Sequence, residues 1–495
     1  MIRAARAVAD WADAELAASF IDEGDPRPDC CALVGGGDNG GDALHAAAML
    51  AEAGRSVRAA ILSEHPHVRG LQAAEAAGVE IVYPAAEHWG FPDGWAVGRV
   101  WLDGLTGTGL SGPVREPLAT AIGALDALAA ERGTTVVSID VPSGVHADDG
   151  SLEGPVLRGT HCVTMGAPKS CLLLPPAAHA VPSFEVVDLG VELPGDACRP
   201  GSGSVWRLEA EDVADAIRVP GATDHKYTRG VVGLSAGSDT YPGAGVLASA
   251  GALGTGPGMV RVETASRPTL LVLVAHPGVV TAGGRVQAVL VGSGLDQDME
   301  GRARTIAMRS MTRGVPLVLD AGARGFVPDM LERFGKLDNV ILTPHAGEAV
   351  SLLSDLHLAD WTREHVEAMP LQAASLIAGH TGATVALKGA TTVVVDAVGT
   401  VYSQSSGSGW TGVAGSGDVL AGMIVGLLAQ RAADSERGGP TLDIPRTVAS
   451  AVALHGWAAD RAAHGGDGAW TRGRPIQAED IAESISPLIG DLLAD

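Results

Sequence analysis

Short runs rich in Val, Ile and Leu recur along this chain, and most lead through a glycine-containing loop into a helical, alanine-rich stretch. That alternation constrains the fold more than any single motif, because strand–helix–strand units close as parallel sheets with helices on both faces. In the first part "CCALVG", "VRAAIL", "VWLDGL" and "TTVVSIDVP" read as strands. Between them "DALHAAAMLAEAG" (stopped by Gly54), "GLQAAEAAG" and "PLATAIGALDALAAE" read as helices. "GTHCVTM" and "SFEVVDLG" add two strands before "VELPGDACRPGSGS", whose Gly, Pro and Ser mark a linker. A second series follows, with strands in "GVVGLSAG", "PGMVRVET", "VQAVLVGSG", "VPLVLDAG", "NVILTP", "ATVALKG" and "TTVVVDAVG". Its long helices include "DVLAGMIVGLLAQRAAD" and "RTVASAVALHGWAADRAA". At 495 residues the chain exceeds one ordinary core, so two α/β domains are expected, over 1–203 and 204–495.

A net charge of −24 argues against nucleic acid or an anionic membrane as the main partner. Phosphorylated ligands stay open, since helix N-termini bind them without a basic domain. The apolar run Leu270–Ala275 is ended by His276 and Pro277, too early for a membrane span. The opening "MIRAARAVADWADAEL" is amphipathic, with no signal-peptide core. Five cysteines lack metal-ligand spacing, and the adjacent Cys30 and Cys31 read as buried small residues. A reducing, cytoplasmic setting is expected.

Six loops and turns carry the candidate chemistry. Gly35, Gly37 and Gly40 spell the dinucleotide-binding fingerprint, with Glu64 roughly where a ribose carboxylate belongs. Asp38 and Asp42, however, would repel a pyrophosphate there, and with Asn39 they suit a cation or ligand hydroxyls. Alternatively, Asp42 sits in a first helical turn and complements its dipole. Asp103 and Asp140 each end a strand and open a glycine loop, which aims them at the ligand-binding edge of an open sheet. In the second domain Gly415 and Gly417 precede Asp418 and an apolar helix, so backbone N–H groups there face an anion while Asp418 acts as a base. "LKGATT" reads as a strand-to-strand turn with a cation and two hydroxyls. His345, in "LTPHAGE", is either a site residue or a hydrogen-bonded loop histidine.

Taken together, these motifs resemble the bifunctional NAD(P)H-hydrate repair enzymes, an epimerase fused to an ADP/ATP-dependent dehydratase. The resemblance rests on "GGGDNGGDAL", "DGLTGTGLSGP", "IDVPSGVHADDG" and "TMGAPK", then "KYTRGVVGLSAGSDTYPGA", "LTPHAGE", "LKGATT" and "AGSGDVLAG", in that order over about residues 30 to 465. It implies a Rossmann-like three-layer α/β/α domain followed by a ribokinase-like α/β domain. It implies substrates NADHX and NADPHX, with Mg²⁺ and ADP or ATP used by the second domain.

By motif, Asn39, Asp103 and Ser143 would hold K⁺. Asn39, Gly40, Gly41, Asp42 and Ala43 would hold the hydrated nicotinamide, with Asp140 as acid/base. So would the loop of Gly107, Thr108, Gly109 and Leu110 that continues through Ser111, Gly112 and Pro113. In the second domain Lys388, Gly389, Ala390, Thr391, Thr392 and Gly417 would contact nucleotide. Ala244, Gly294, His345 and catalytic Asp418 would face the hydrated cofactor.

The chain departs from the family at Asp38 (commonly Asn), Ala43 (commonly Gly) and Val413 (commonly Thr), and begins inside the family's usual N-terminal segment. Two rival readings follow. The second domain could be a small-molecule kinase, because the G-x-G-D loop is shared, and the first a non-catalytic binding module. A symmetric homo-oligomer is compatible with the composition.

Overall fold

The computed structural model describes residues 1–18, 27–192, 203–405, 408–466 and 468–494. The chain forms two compact units, Met1–Pro194 and Gly195–Asp495.

In the first unit seven parallel strands are β1 (Cys30–Val34), β2 (Val57–Ile61), β3 (Glu80–Val82), β4 (Val100–Gly104), β5 (Thr135–Ile139), β6 (His161–Met165) and β7 (Phe184–Val187). Their order is β3-β2-β1-β4-β5-β6-β7. Two-residue periodicity splits β1 between two cores. Cys30, Ala32 and Val34 pack with Val8, Leu44 and Leu50 of the helices Ile2–Ala18 and Asp38–Glu52. Cys31 and Leu33 point the other way, toward Trp101 and Ile122 and Leu125 of the helix Leu118–Arg132. With both faces covered, a central strand reads as a continuous apolar run, which is why "CCALV" carries no polar residue. The strand order reverses between β2 and β4, on either side of β1, so the crevice for a ligand opens beyond the carboxyl ends of β1 and β4.

The second unit holds β8 (Val205–Trp206), β9 (Val231–Ser235), β10 (Met259–Val262), β11 (Ala288–Val291), β12 (Leu317–Leu319), β13 (Val340–Leu342), β14 (Thr384–Leu387), β15 (Thr391–Val395) and β16 (Val401–Ser405). They lie in the order β10-β9-β11-β12-β13-β14-β15-β16-β8. Pairing is parallel from β10 to β14 and antiparallel at β15 and β16. The helix Ser416–Glu436 is buried on nearly every side along its apolar run Val419–Ala429, as such a run requires. It crosses the helix Pro242–Gly254 closely because Gly422 and Gly251 face the other helix's backbone at Ala248 and Val419, where a Cβ would overlap a carbonyl oxygen. Both units are the α/β architectures expected from the sequence, and the strand order of the first is the doubly wound one that the resemblance implied.

Two local expectations change. The first glycine loop is shorter than read, for the helix begins at Asp38 rather than Asp42. Strands β3, β8 and β16 were not anticipated: β3 and β8 are short and lie at sheet edges, and β16 carries the polar Ser403, Gln404 and Ser405. Of the linker Val191–Ser204, residues 193–202 lie outside the described residues. Cys30, Cys31, Cys162 and Cys171 are free and buried, and no helix of the described residues is long and apolar enough to cross a membrane.

Candidate functional site

The glycines of the opening loop serve packing. A Cβ on Gly35 would overlap the Leu105 carbonyl, and one on Gly40 would overlap the carbonyl of Gly35 itself. Asp38 occupies the first turn and complements the helix dipole, the role the alternative reading gave to Asp42. Asp42 lies a full turn further in, buried, with its Oδ1 unpartnered. Burial pushes its carboxyl up to about 6, and the Asp140 and Asp38 carboxylates add to the shift.

Asn39 projects over the carboxyl ends of the strands. Its amide donates to the carbonyl oxygens of Thr106 (3.1 Å) and Ile139 (2.6 Å). Asp103, fully buried at the end of β4, accepts from the Ser143 backbone N–H (2.9 Å) and hydroxyl (2.5 Å). Burial raises its carboxyl to about 6, partly offset by those hydrogen bonds, and no cationic side chain of the described residues pairs with it. Gly107, Thr108, Gly109 and Leu110 line a cavity of about 450 Å³ with Asn39 and Gly40. Ser111 and Pro113 line a second, of about 790 Å³, together with Gly109 and Leu110. Gly112 turns the chain between them at φ +71°. Ala43 is fully buried one residue beyond Asp42.

Asp140 stands just past β5 at φ +67°, a left-handed conformation costly for a non-glycine residue. Its Oδ1 accepts from the Thr164 hydroxyl and Met165 N–H, both 3.0 Å, and pairs with Lys169. Lys169 was not singled out from sequence, although it ends the quoted "TMGAPK". The three acidic loops therefore do share one edge of one sheet.

In the second unit Asp418 sits in the first turn of Ser416–Glu436. Gly417 and Asp418 are among the N–H groups that a helix start leaves without an intrahelical partner. Burial lifts the Asp418 carboxyl to about 6, and the Asp320 carboxylate adds to it, while Ser293 and Lys388 oppose. Asp320, at the end of β12, was missed, though a strand-ending Asp is the signal that singled out Asp103 and Asp140. It accepts from Ser293 (2.7 Å) and Thr343 (2.7 Å) and pairs with Lys388 at 3.0 Å. Burial alone would raise its carboxyl, but the Lys388 ammonium and the two hydroxyls hold it below the usual range. Lys388 is thus anchored by a carboxylate, and its Nζ lies 3.5 Å from where a Gly417 Cβ would stand.

Gly389 and Ala390 are the exposed tip of the hairpin; Thr391 and Thr392 are buried, with Thr392 Oγ1 turned toward Gly389. Gly294 meets Ala244, since a Cβ there would lie 2.6 Å from that of Ala244. His345 caps the helix Ala346–Asp355, its Nδ1 accepting from Gly347 N–H (3.0 Å) and Glu348 N–H (3.3 Å). It is a hydrogen-bonded cap and also a neighbour of Lys388, bridged strand-fashion. Nothing local marked His455, 39 residues beyond Ser416, as the buried partner of that residue; its Nε2 lies 3.2 Å from Ser416 Oγ. Burial pushes its imidazole down to about 4, so it stands neutral behind the loop.

Comparison with known proteins matches residues 1–171 to the YjeF-related protein N-terminus family and 232–473 to the NAD(P)H-hydrate dehydratase family. The bifunctional NAD(P)H-hydrate repair enzyme Nnr of Mycobacterium tuberculosis is 36% identical over 407 residues, spanning 81% of this chain and 78% of its own. This chain belongs to the bifunctional NAD(P)H-hydrate repair enzymes. Another member, from Corynebacterium glutamicum, is 30% identical over 88% of this chain and 84% of its own. The ADP/ATP-dependent NAD(P)H-hydrate dehydratase of Bacillus subtilis, co-crystallised with ATP and Mg²⁺, covers 58% of this chain and 98% of its own at 24% identity and a TM-score of 0.47. Both halves of the family are present, in the order that the quoted motifs implied.

Proposed function

We propose that the chain repairs hydrated nicotinamide cofactors with two sites, an epimerase over residues 1–203 and a dehydratase over 204–495. The observation that carries the dehydratase is Asp418, a carboxyl lifted to about 6 at the head of a buried helix, beside the Lys388–Asp320 pair. In its ionised form Asp418 takes the proton from the ring hydroxyl of NADHX or NADPHX as that oxygen attacks the terminal phosphoryl group of ADP or ATP. The P–O bond to AMP or ADP breaks as the new one forms; the ring C–O bond then breaks with phosphate as leaving group while the adjacent ring carbon loses a proton to water, and the ring double bond returns. Backbone N–H groups at Gly417 and Asp418, with the Lys388 ammonium, face the phosphoryl oxygens. Ala244, Gly294 and His345 border the space for the hydrated ring. Mg²⁺ takes phosphate oxygens and water readily and needs few protein carboxylates, which suits a site whose Asp320 is already paired.

In the first unit Asp140 serves as acid/base for interconverting the epimers, held by Lys169, Thr164 and Met165. The groups near Asp103 fit a monovalent cation: a buried carboxylate without a cationic partner among the described residues, the Ser143 hydroxyl, and the Asn39 amide with the two carbonyls it meets are all hard oxygen-bearing groups. K⁺ held there would fix the position of Asn39 and the Gly107–Pro113 loop. The free, buried cysteines accord with a reducing compartment such as the cytoplasm. The test is to supply purified protein with ATP and the S hydrate of NADH, then with the R hydrate. Return of NADH absorbance in the first case, and consumption of R faster than its spontaneous conversion in the second, are expected. Stable phosphorylated product without NADH would refute the dehydratase.

A further inference from the structure

A cavity of about 880 Å³ lies in the second unit, on the sheet face between the edge strand β10 and the helix Gln297–Thr312. None of the residues around Asp418 lines it. Its charge runs against the rest of the chain. The protein has 58 acidic and 34 basic residues, yet five arginines and two glutamates line this one slot. The glutamates are spoken for: Glu263 pairs with Arg309 (3.1 Å) and Arg302 (3.8 Å), and Glu436 with Arg285 (2.6 Å). Arg261 and Arg313 join no ion pair among the described residues. Arg261 donates to the Ala282 carbonyl at 2.6 Å, while its Nε is buried without a hydrogen-bond partner. A buried donor left open costs free energy until an acceptor arrives. Gly233, Val286, Val289 and Ile306 give the slot an apolar lining, and the exposed Gly283 leaves backbone open at the rim.

We propose that this slot is a second anion site, taking a phosphorylated molecule with a flat ring, of the nucleotide class. Guanidinium groups bind phosphate through paired, charge-assisted hydrogen bonds and stack on rings. An apolar lining with arginines around it supplies both surfaces, and the volume falls in the range of small-molecule sites. Against a strongly acidic surface such a site also needs local positive charge to draw an anion in. The site stands apart from the Asp418 chemistry and does not depend on it.

The test is calorimetric titration of the full chain with ADP, in wild type and in Arg302→Glu/Arg313→Glu, both substitutions at exposed side chains. Two ADP sites per chain are expected in wild type and one in the variant, with S-hydrate dehydration unchanged. A single site in wild type, or two surviving the substitutions, would overturn the proposal. Hydrogen exchange on wild type reads the site without any variant: saturating ADP should protect residues 281–286 and 302–313, and no protection there counts against the site. Inorganic pyrophosphate should bind the slot at least tenfold more weakly than ADP; equal binding would remove the ring from the assignment. If the substitutions instead break a dimer, with no ADP-dependent protection, the slot is a contact between copies and the proposal fails.

Discussion

Lys388 and Asp320, 68 residues apart, form an ion pair of 3.0 Å where β14 and β12 end. Burying such a pair costs solvation on both sides, and the cost is offset only when the remaining lone pairs are satisfied. Here they are, by Ser293 and Thr343. The pair holds an ammonium beside Gly417 without leaving the site strongly positive, so the head of the helix Ser416–Glu436 can take a phosphoryl group while Asp418 ionises nearby.

Breaking that pair from one side should therefore cost stability as well as activity. Asp320→Ala strands the Lys388 ammonium, with an expected loss of about 3–5 kcal/mol. Urea unfolding of the second-unit transition measures it. Adding Lys388→Met should return much of the stability and none of the dehydration.

As the proposed base, Asp418 should make the dehydratase sensitive to acid. Its carboxyl titrates at about 6 in the folded chain against an ordinary 3.8, so the ionised base disappears as the pH drops through 6. The rate of S-hydrate dehydration should fall along that limb. Asp418→Asn should lose roughly 10²–10⁴ in rate with ADP binding kept. The stability sign is opposite: a raised carboxyl is disfavoured when ionised, a cost absent below 3.8 and complete above about 6. The Asn variant should thus unfold at a higher temperature than wild type at neutral pH, and the gap should close in acid. An unchanged acid limb in the variant would reject Asp418 as the titrating base.

Lys169 orients Asp140 and belongs to the first site alone. Lys169→Ala should slow consumption of the R hydrate by about 10- to 100-fold, the scale of a lost charge-assisted contact in a buried site. S-hydrate dehydration by the same preparation should not change, and a parallel loss in both would point to a folding defect instead.

Asp38 stands in the first turn of the helix Asp38–Glu52, where the family resemblance implies an Asn. Its charge favours the helix dipole but opposes a phosphate-bearing ligand in the adjoining cavity. Asp38→Asn should lower the KM for the R hydrate while costing about 0.3–1 kcal/mol of stability. Steady-state kinetics alongside thermal unfolding would show the two effects moving in opposite directions.

The strands of both sheets could be read because parallel, doubly covered strands are short apolar runs, as "CCALV" and "AVLV" are. Edge strands such as β3 and the two-residue β8 lack that signature and were missed. The helix Asp38–Glu52 was begun four residues late because glycines read as loop, whereas Gly40 and Gly41 are helical and tightly packed. Asp103, Asp140 and Asp418 were accessible to sequence as acidic residues at strand ends and beside glycines. Asp320 carried the same signal and was passed over.

By itself the sequence determined two α/β units, the edge at which each gathers its carboxylates, and the family to which their motifs belong. These follow from local patterns: apolar period, glycine loops and strand-ending acids. Only the tertiary structure decided what each carboxylate faces. Lys388 meeting Asp320, Lys169 meeting Asp140, His455 behind Ser416 and five arginines around one cavity join distant parts of the chain. Such partners are set by sheet order and burial, and it is burial and partner charge, not residue type, that place Asp418 near 6 and Asp320 below the ordinary range.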